Sequence, residues 1–363
     1  MSTALICDNA YQLHLGEALN RLGLLPDRVG ALVSLGDTRL SWRARGIAEA
    51  ASWRHVHVGC AASFWAQVGC AVALRLAPPK PLREAINGVR AIVIFNDTHP
   101  CTVQLRKLFP SASVTLVEEG TGLHRTRHID RWLPRRWLGR LLVPGLTITG
   151  RQGESPWVDQ LWVSQDHALT PAQRQKPIVM FDRRAAITEM RRAHGIRADL
   201  PADGRPVLLV LGQPFVEDGV LTRARLRSML DAVATAIGHD DGAMMRAYKP
   251  HPRERQGAHN AAHVLGPGAT ILDQYTPLEL LDFNEAPVLL LTFASSAARQ
   301  GAANWRCVSL APCFPLLAGE IGDERTFPGV TFLRELGELA AELTPLATSN
   351  LGRQPRVARG LDQ

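Results

Sequence analysis

Short apolar runs separated by longer stretches of helical spacing constrain this chain more than any other feature. A buried strand followed by an amphipathic helix is the repeating unit of a parallel sheet. Thr3–Cys7 reads as such a strand and Gln12–Leu22 as the helix after it. Val29–Leu35, Ala91–Phe95 and Ser113–Val117 continue the series, with a helix between the last two from Thr102 to Leu108. Together they predict a first Rossmann-like half. Pro156–Pro171 reads as irregular, Ile178–Phe181 as a strand and Arg183–His194 as a charged helix. The stretch from Ala198 to Pro206, rich in Asp, Gly and Pro, reads as a linker. Strand patterns resume at Val207–Leu211, Met244–Tyr248, Ala269–Leu272, Val288–Phe293 and Cys307–Leu310. Helical patterns lie between them at Leu221–Ile237, Pro277–Phe283 and Ser296–Ala303, with a last helix at Leu333–Leu343. The expected fold is α/β, with one Rossmann-like domain over residues 1–200, a second over 201–345 and a loose tail over 346–363.

Two domains also suit the length, since 363 residues exceed what one ordinary core encloses. With 46% hydrophobic and 21% charged residues, the chain can bury substantial cores, which excludes a disordered protein. The net charge of +7 points to an anionic partner. Nucleic acid is set aside, because no nucleic-acid motif accompanies the basic residues. The six cysteines, Cys7, Cys60, Cys70, Cys101, Cys307 and Cys313, show no CxxC spacing, so no zinc site is signalled. They read as small buried hydrophobes in a reducing compartment. Neither a signal peptide nor an apolar run of the roughly 20 residues that span a bilayer is present, so the expected location is the cytoplasm, at most against the inner face of its membrane.

Ligands of open parallel sheets bind beyond the carboxyl ends of the strands. Three acid-acid-glycine segments are sorted by that rule. Glu118-Glu119-Gly120 and Glu217-Asp218-Gly219 each follow a strand at its carboxyl end, whereas Asp240-Asp241-Gly242 precedes one and reads as a solvated turn. A carboxylate beside a second carboxylate has a raised pKa suited to removing a proton from a hydroxyl. A cap or surface turn is the alternative reading of either segment.

Tyr248-Lys249-Pro250-His251-Pro252-Arg253-Glu254 also follows a strand. The two prolines stiffen the loop and hold the imidazole. His251, if protonated, would stabilise a phosphate, with Lys249 and Arg253 adding positive potential. Ser295 and Ser296 lie between a strand and a helix start, where a helix N-terminus binds phosphate, although capping alone accounts for one serine. Glu279 is a candidate for ribose hydroxyls, but the Thr276–Glu279 spacing is that of a capping box, which is the favoured reading.

In their order, these segments resemble the bacterial sialyltransferases of capsule and lipooligosaccharide synthesis, including the α-2,8-polysialyltransferase-like group. Gly212-Gln213-Pro214-Phe215-Val216-Glu217-Asp218-Gly219 and the His251 segment carry most of the likeness, with Leu5–Gln12 adding to it. It spans Leu5 to Ser296 in short islands. The resemblance implies a GT-B fold, two Rossmann-like domains facing a central cleft. It implies inverting, metal-independent transfer from CMP-sialic acid or a related nonulosonic acid to a hydroxyl of a glycan or glycolipid acceptor, with no cofactor. It further implies Glu118 as general base with Glu119 beside it, and His251, Pro252, Ser295 and Ser296 on CMP. Gly212, Gln213, Pro214, Lys249 and Glu279 join them on the nucleotide side, where Glu217 and Asp218 are rivals for the base. A CMP-Kdo or UDP-sugar transferase, a nucleotide-sugar epimerase, or a non-catalytic glycan-binding protein on the same fold are the alternatives.

Arg125–Leu142 mixes Arg, Trp and Leu. Such a segment suits a membrane surface. An anionic acceptor glycan, a lid or a homodimer contact are its other readings.

Overall fold

The computed structural model describes the chain except residues 1, 26, 62, 121–122, 124–132, 148–150, 166–168, 199–203, 240–241, 284–285, 294, 296, 298–303, 318–326, 328 and 349–363; for 133 and 345–348 it describes the backbone only. It divides into two compact units, Met1–Gly195 and Ile196–Gln363. The sequence placed this division between residues 200 and 201.

The first unit runs β1 (Ser2–Cys7), α1 (Ala10–Arg21), β2 (Val29–Gly36), α2 (Thr38–Ala51), β3 (Arg54–Gly59), α3 (Phe64–Leu76), α4 (Lys80–Ile86), β4 (Val89–Ile94), α5 (Pro100–Leu108), β5 (Ser113–Val117), α6 (Leu133–Leu142), β6 (Gln160–Val163), α7 (Pro171–Arg174), β7 (Ile178–Met180) and α8 (Arg183–His194). Its sheet has the order β3-β2-β1-β4-β5-β6-β7, all neighbours parallel. The order reverses between β1 and β4, which creates a crevice beyond their carboxyl ends. Helices cover both faces, so the central strands carry no polar face: β1 from Thr3 to Cys7 is fully buried. Gly16 on α1 allows the close approach this needs, since a Cβ there would meet Leu5 Cδ1 and Phe95 Cζ, each at 3.3 Å.

The second unit runs β8 (Ile196–Arg197), β9 (Val207–Leu211), α9 (Arg223–Ile237), β10 (Met245–Lys249), α10 (Gly257–Leu265), β11 (Thr270–Ile271), β12 (Leu281–Asp282), β13 (Val288–Thr292), β14 (Trp305–Ser309), β15 (Val330–Phe332) and α11 (Leu339–Thr348). Its main sheet has the order β11-β10-β9-β13-β14-β15, and β12 pairs with β8 in a small second sheet. Every pair is parallel, and Val207 faces both Met245 and Val288. The carboxyl ends of β10, β9 and β13 therefore share one edge, with the reversal between β9 and β13.

Several readings need correction. Pro156–Pro171 is not irregular throughout, because Gln160–Val163 forms β6, extending the sheet beyond β5. Three apolar residues after Gln160 were too few to signal a strand. Pro277–Phe283 is not a helix. Only Leu278–Leu280 turns, as a 3-10 turn, and Leu281–Asp282 then pairs as a strand. The helix expected over Ser296–Ala303 falls mostly outside the described residues. Among the described residues, no helix is long and apolar enough to cross a membrane.

Leu5 is wholly buried at the centre of the first unit. Leu5→Ala is expected to cost about 2–5 kcal/mol through lost transfer energy and a residual cavity. Urea unfolding monitored by circular dichroism measures this, and a loss near zero contradicts the packing described.

Candidate functional site

In the first unit, three loops meet where the sheet order reverses. Asn9 follows β1 and caps α1, its Oδ1 accepting from Gln12 N at 2.9 Å. The Asp8 main-chain N–H donates to Gln12 Oε1 at 2.7 Å, which fixes the glutamine. Asp8 accepts from Asn9 Nδ2 at 3.0 Å, and across the crevice from Asn96 Nδ2 at 3.1 Å, just beyond β4. Glu119, beyond β5, receives Gln12 Nε2 in a short hydrogen bond and Asn9 Nδ2 at 3.4 Å.

The two adjacent glutamates have opposite situations. Glu118 is fully buried. Its Oε1 accepts from Arg183 Nη1 at 2.9 Å, and its Oε2 accepts from Ser164 N at 2.6 Å and Ser164 Oγ at 3.0 Å. Arg183 Nη2 also donates to Tyr11 Oη at 3.0 Å and, in a short contact, to the Glu119 carbonyl. Both carboxylate oxygens of Glu118 are thus engaged inside the protein. Glu119 is half-buried, and burial and the nearby Asp8 push its carboxyl up to about 8, against the lowering pull of Gln12, Asn9 and Arg183. Glu118 is thus held within the protein by Arg183 and Ser164, whereas the Glu119 carboxyl lies at the crevice between Asn9 and Gln12.

Three strands of the second unit end at the other candidate edge. Gly212 follows β9, and a Cβ there would lie 1.9 Å from Glu254 Oε2 and 2.7 Å from Tyr248 Oη, so only glycine fits. Glu254 is buried and accepts from Tyr248 Oη at 2.7 Å, Asn260 Nδ2 at 2.6 Å and His251 N at 3.1 Å. This carboxylate pins the His251 loop onto β10. The prolines are joined by a second brace: a Cβ on Gly257 would meet Pro250 Cβ at 2.7 Å.

His251 is half-buried, and its Nδ1 accepts from Arg253 N at 3.1 Å. Burial first, then Arg253 and Lys249, push the imidazole down to about 3. That shift favours the neutral ring at pH 7, so of the two roles open to His251 it supports hydrogen bonding rather than a cationic contact. With Nδ1 accepting, Nε2 carries the proton and is a hydrogen-bond donor. Lys249 is buried and donates to the carbonyls of Pro250 at 3.2 Å and Gln274 at 3.1 Å, which holds the loop together. Pro252 is exposed beside them.

The rival acids have structural partners. Asp218 accepts a short ion pair from Arg253, and Glu217 accepts from Arg255 N at 3.0 Å. They tie the turn after β9 to the His251 loop, with Gly219 at φ 66° and Asp218 N donating to Pro214 O at 2.8 Å. Gln213 Nε2 donates to Gly212 O at 2.8 Å.

Beyond β13, Ser295 N donates to Thr292 Oγ1 at 3.0 Å, and Ser295 Oγ accepts from Ala297 N at 3.2 Å. Ser296 lies outside the described residues. Glu279 is buried, but the capping box expected with Thr276 does not form. The Thr276 hydroxyl donates instead to Asp273 Oδ2 at 2.6 Å, and Pro277 precedes the turn.

The structure brings Glu118 and Glu119 together in the first unit. In the second, it brings Gly212, Gln213, Pro214, Glu217, Asp218, Lys249, His251 and Pro252 together, with Ser295 beyond the neighbouring strand end. Sequence reasoning missed Asp8, Gln12, Asn96, Arg183 and Glu254 as members of these sites. Asp8 and Asn96 carried a signal, since each immediately follows a predicted strand. Arg183 carried none, because its partner is 65 residues away in the chain.

No protein-family model matches the chain, and a search of curated proteins finds no relative. Solved structures share the fold. UDP-GlcNAc 2-epimerase of Methanocaldococcus jannaschii, in complex with UDP-GlcNAc and UDP, is 13% identical, with TM-score 0.56 over 98% of this chain and 94% of that one. The Neisseria meningitidis UDP-GlcNAc 2-epimerase bound to UDP-GlcNAc is 9% identical, with TM-score 0.53 over 96% and 92%. A sialyltransferase GT-B domain from Photobacterium damselae is 12% identical, with TM-score 0.45 over 92% of this chain and all of that domain. The chain has the α/β architecture of the GT-B proteins, two Rossmann-like units with parallel sheets.

Two predictions test the first-unit geometry. Arg183→Ala leaves Glu118 buried without its ionic partner and is expected to cost about 3–5 kcal/mol in chemical unfolding. A change within about 0.5 kcal/mol contradicts the pairing. The raised Glu119 carboxyl means that the fold favours the protonated form. Its contribution to stability is whole below the ordinary carboxylate range and is lost as pH rises toward about 8. The melting temperature should therefore fall more steeply between pH 5 and about 8 in the wild type than in Glu119→Gln, and parallel curves rule the shift out.

Proposed function

We propose that this protein is an inverting glycosyltransferase that uses a nucleotide sugar, with Glu119 as the general base. The observation that carries the reading is the Glu119 carboxyl at the reversal point of a parallel sheet, held by Gln12 and Asn9 and pushed up to about 8 by burial and the nearby Asp8. A base of that pKa is suited to taking a proton from a hydroxyl as it becomes a nucleophile. In this reading the acceptor oxygen attacks the anomeric carbon, Glu119 takes the proton, and the bond from that carbon to the phosphate oxygen breaks. A single displacement inverts the configuration. The second unit holds the nucleotide. The Nε2–H of neutral His251 donates to the phosphate, the Ser295 region contributes beyond β13, and Glu279 serves the ribose. No cofactor or metal is needed for these steps.

The likeness of the Gly212–Gly219 and Tyr248–Glu254 segments to sialyltransferases favours a CMP-activated nonulosonic acid as donor. A second reading, chemistry on a UDP-sugar, draws support from the epimerases that share the fold. Thermal denaturation with CMP, UDP, ADP and GDP separates them, because a ligand of the native state raises its melting temperature. Stabilisation by CMP is expected. Stabilisation by UDP alone transfers the site to the second reading, and no response to any nucleotide favours a glycan-binding protein.

Glu119→Gln is expected to lower the transfer rate by roughly 10²–10⁴-fold, the usual size of a general-base contribution, without loss of CMP binding. Wild-type rate in this variant removes Glu119 as the base. Because the base must be ionised, the wild-type rate should rise with pH up to about 8.

The acceptor in this reading belongs to a membrane-associated glycan at the cytoplasmic face. Helix α6 supports that: Trp137, Leu138, Leu141 and Leu142 expose between 46% and 73% of their surface, interleaved with the exposed Arg135 and Arg140. Apolar and basic side chains combined in this way suit an anionic bilayer surface. Co-sedimentation with anionic vesicles is expected for the wild type and reduced in Trp137→Ser/Leu141→Ser. Equal recovery of both proteins contradicts the assignment.

A further inference from the structure

Three of the six cysteines, far apart in sequence and carrying no ligand spacing, converge in the first unit. Cys60 immediately follows β3, Cys70 lies on α3, and Cys101 is in the first turn of α5. Their sulfurs all lie within 4.8 Å of one another, and the Cys60 and Cys101 sulfurs are 3.8 Å apart. A disulfide needs about 2.05 Å. Two thiolates at the usual zinc–sulfur length of about 2.3 Å on a tetrahedral ion stand about 3.8 Å apart. The Cys60–Cys101 spacing is therefore that of two ligands on one ion rather than of a covalent pair, and Cys70 lies within reach of the same ion.

The surroundings agree. Cys101 is fully buried, while Cys60 and Cys70 are half-buried. Each sulfur approaches a main-chain carbonyl: Cys60 to Ala61 O at 3.6 Å, Cys70 to Gly59 O at 3.6 Å and Cys101 to Gln67 O at 3.4 Å. These contacts fix the three side chains on separate elements.

We propose that Cys60, Cys70 and Cys101 bind a thiophilic d¹⁰ metal ion, with Zn²⁺ as its representative, and that the ion ties β3, α3 and α5 together. Binding replaces three S–H bonds with three sulfur–metal bonds and releases three protons to solvent. The open fourth position is taken by water. This site is independent of the proposed transfer chemistry and does not rest on it.

The test uses the full-length chain, reduced and treated with chelator. Zn²⁺ titrated in competition with a chromogenic chelator is expected to bind at one equivalent and to raise the melting temperature. Cys70→Ser should weaken binding at least 10-fold and abolish that rise, whereas Cys313→Ser, a cysteine outside the trio, should change neither. His14, Glu17 and His194 also bring ligand atoms within 4.8 Å of one another, so zinc stoichiometry alone does not identify the site. Co²⁺ bound to the wild type decides: thiolate-to-metal charge-transfer absorption is expected. Binding without that absorption, equal affinity in Cys70→Ser, or no binding by the reduced protein overturns the proposal. The wild-type spectrum serves even if the variant fails to fold.

Discussion

The first-unit site depends on one buried ion pair. Glu118 and Arg183 come from the end of β5 and the start of α8, and neither has appreciable contact with solvent. Two charges withdrawn from water must find their hydrogen bonds within the protein, or the desolvation cost exceeds their attraction. The Ser164 amide and hydroxyl complete the carboxylate, and Tyr11 and the Glu119 carbonyl engage the guanidinium. The same arginine that neutralises one glutamate therefore anchors the backbone of the next. Glu119 is left at the crevice, held by amides from the α1 cap, with a carboxyl displaced toward neutral pH.

The second unit uses a buried carboxylate in a parallel way. Glu254 collects a phenol, an amide and a main-chain N–H, and the glycine at 212 is there because this carboxylate occupies the space of a side chain. The consequence is a rigid loop that presents His251 without charging it. In both units, a buried acid fixes the backbone beside it, Glu118 through Arg183 and Glu254 through Tyr248 and Asn260.

Much of the architecture was legible because parallel strands buried on both faces are written as continuous apolar runs: Ser113–Val117 and Val207–Leu211 match the pattern residue for residue, and Thr3–Cys7 and Val288–Phe293 differ from the observed strands by one residue. The elements from α2 to α4 were not read; β3 carries Arg54 and His55 before its two valines and His57 between them, and so lacks such a run. Helix α10 was missed because Gly257 and Asn260 interrupt its buried apolar face. For the site, residues directly after strands could be read, whereas pairings set by tertiary contact could not. Glu118 and Glu119 are identical in type and adjacent in sequence, and only their burial and tertiary partners distinguish them. The cysteine trio was invisible for the same reason, its members coming from three elements.

In the proposed function, the carboxyl edge of the second unit binds the nucleotide of an activated sugar. A crystal structure of the protein with CMP tests it most directly. The account predicts a phosphate within hydrogen-bond distance of His251 Nε2, with the nucleotide lying beyond the carboxyl ends of β9, β10 and β13. A nucleotide bound elsewhere, with this edge filled only by solvent, would contradict it.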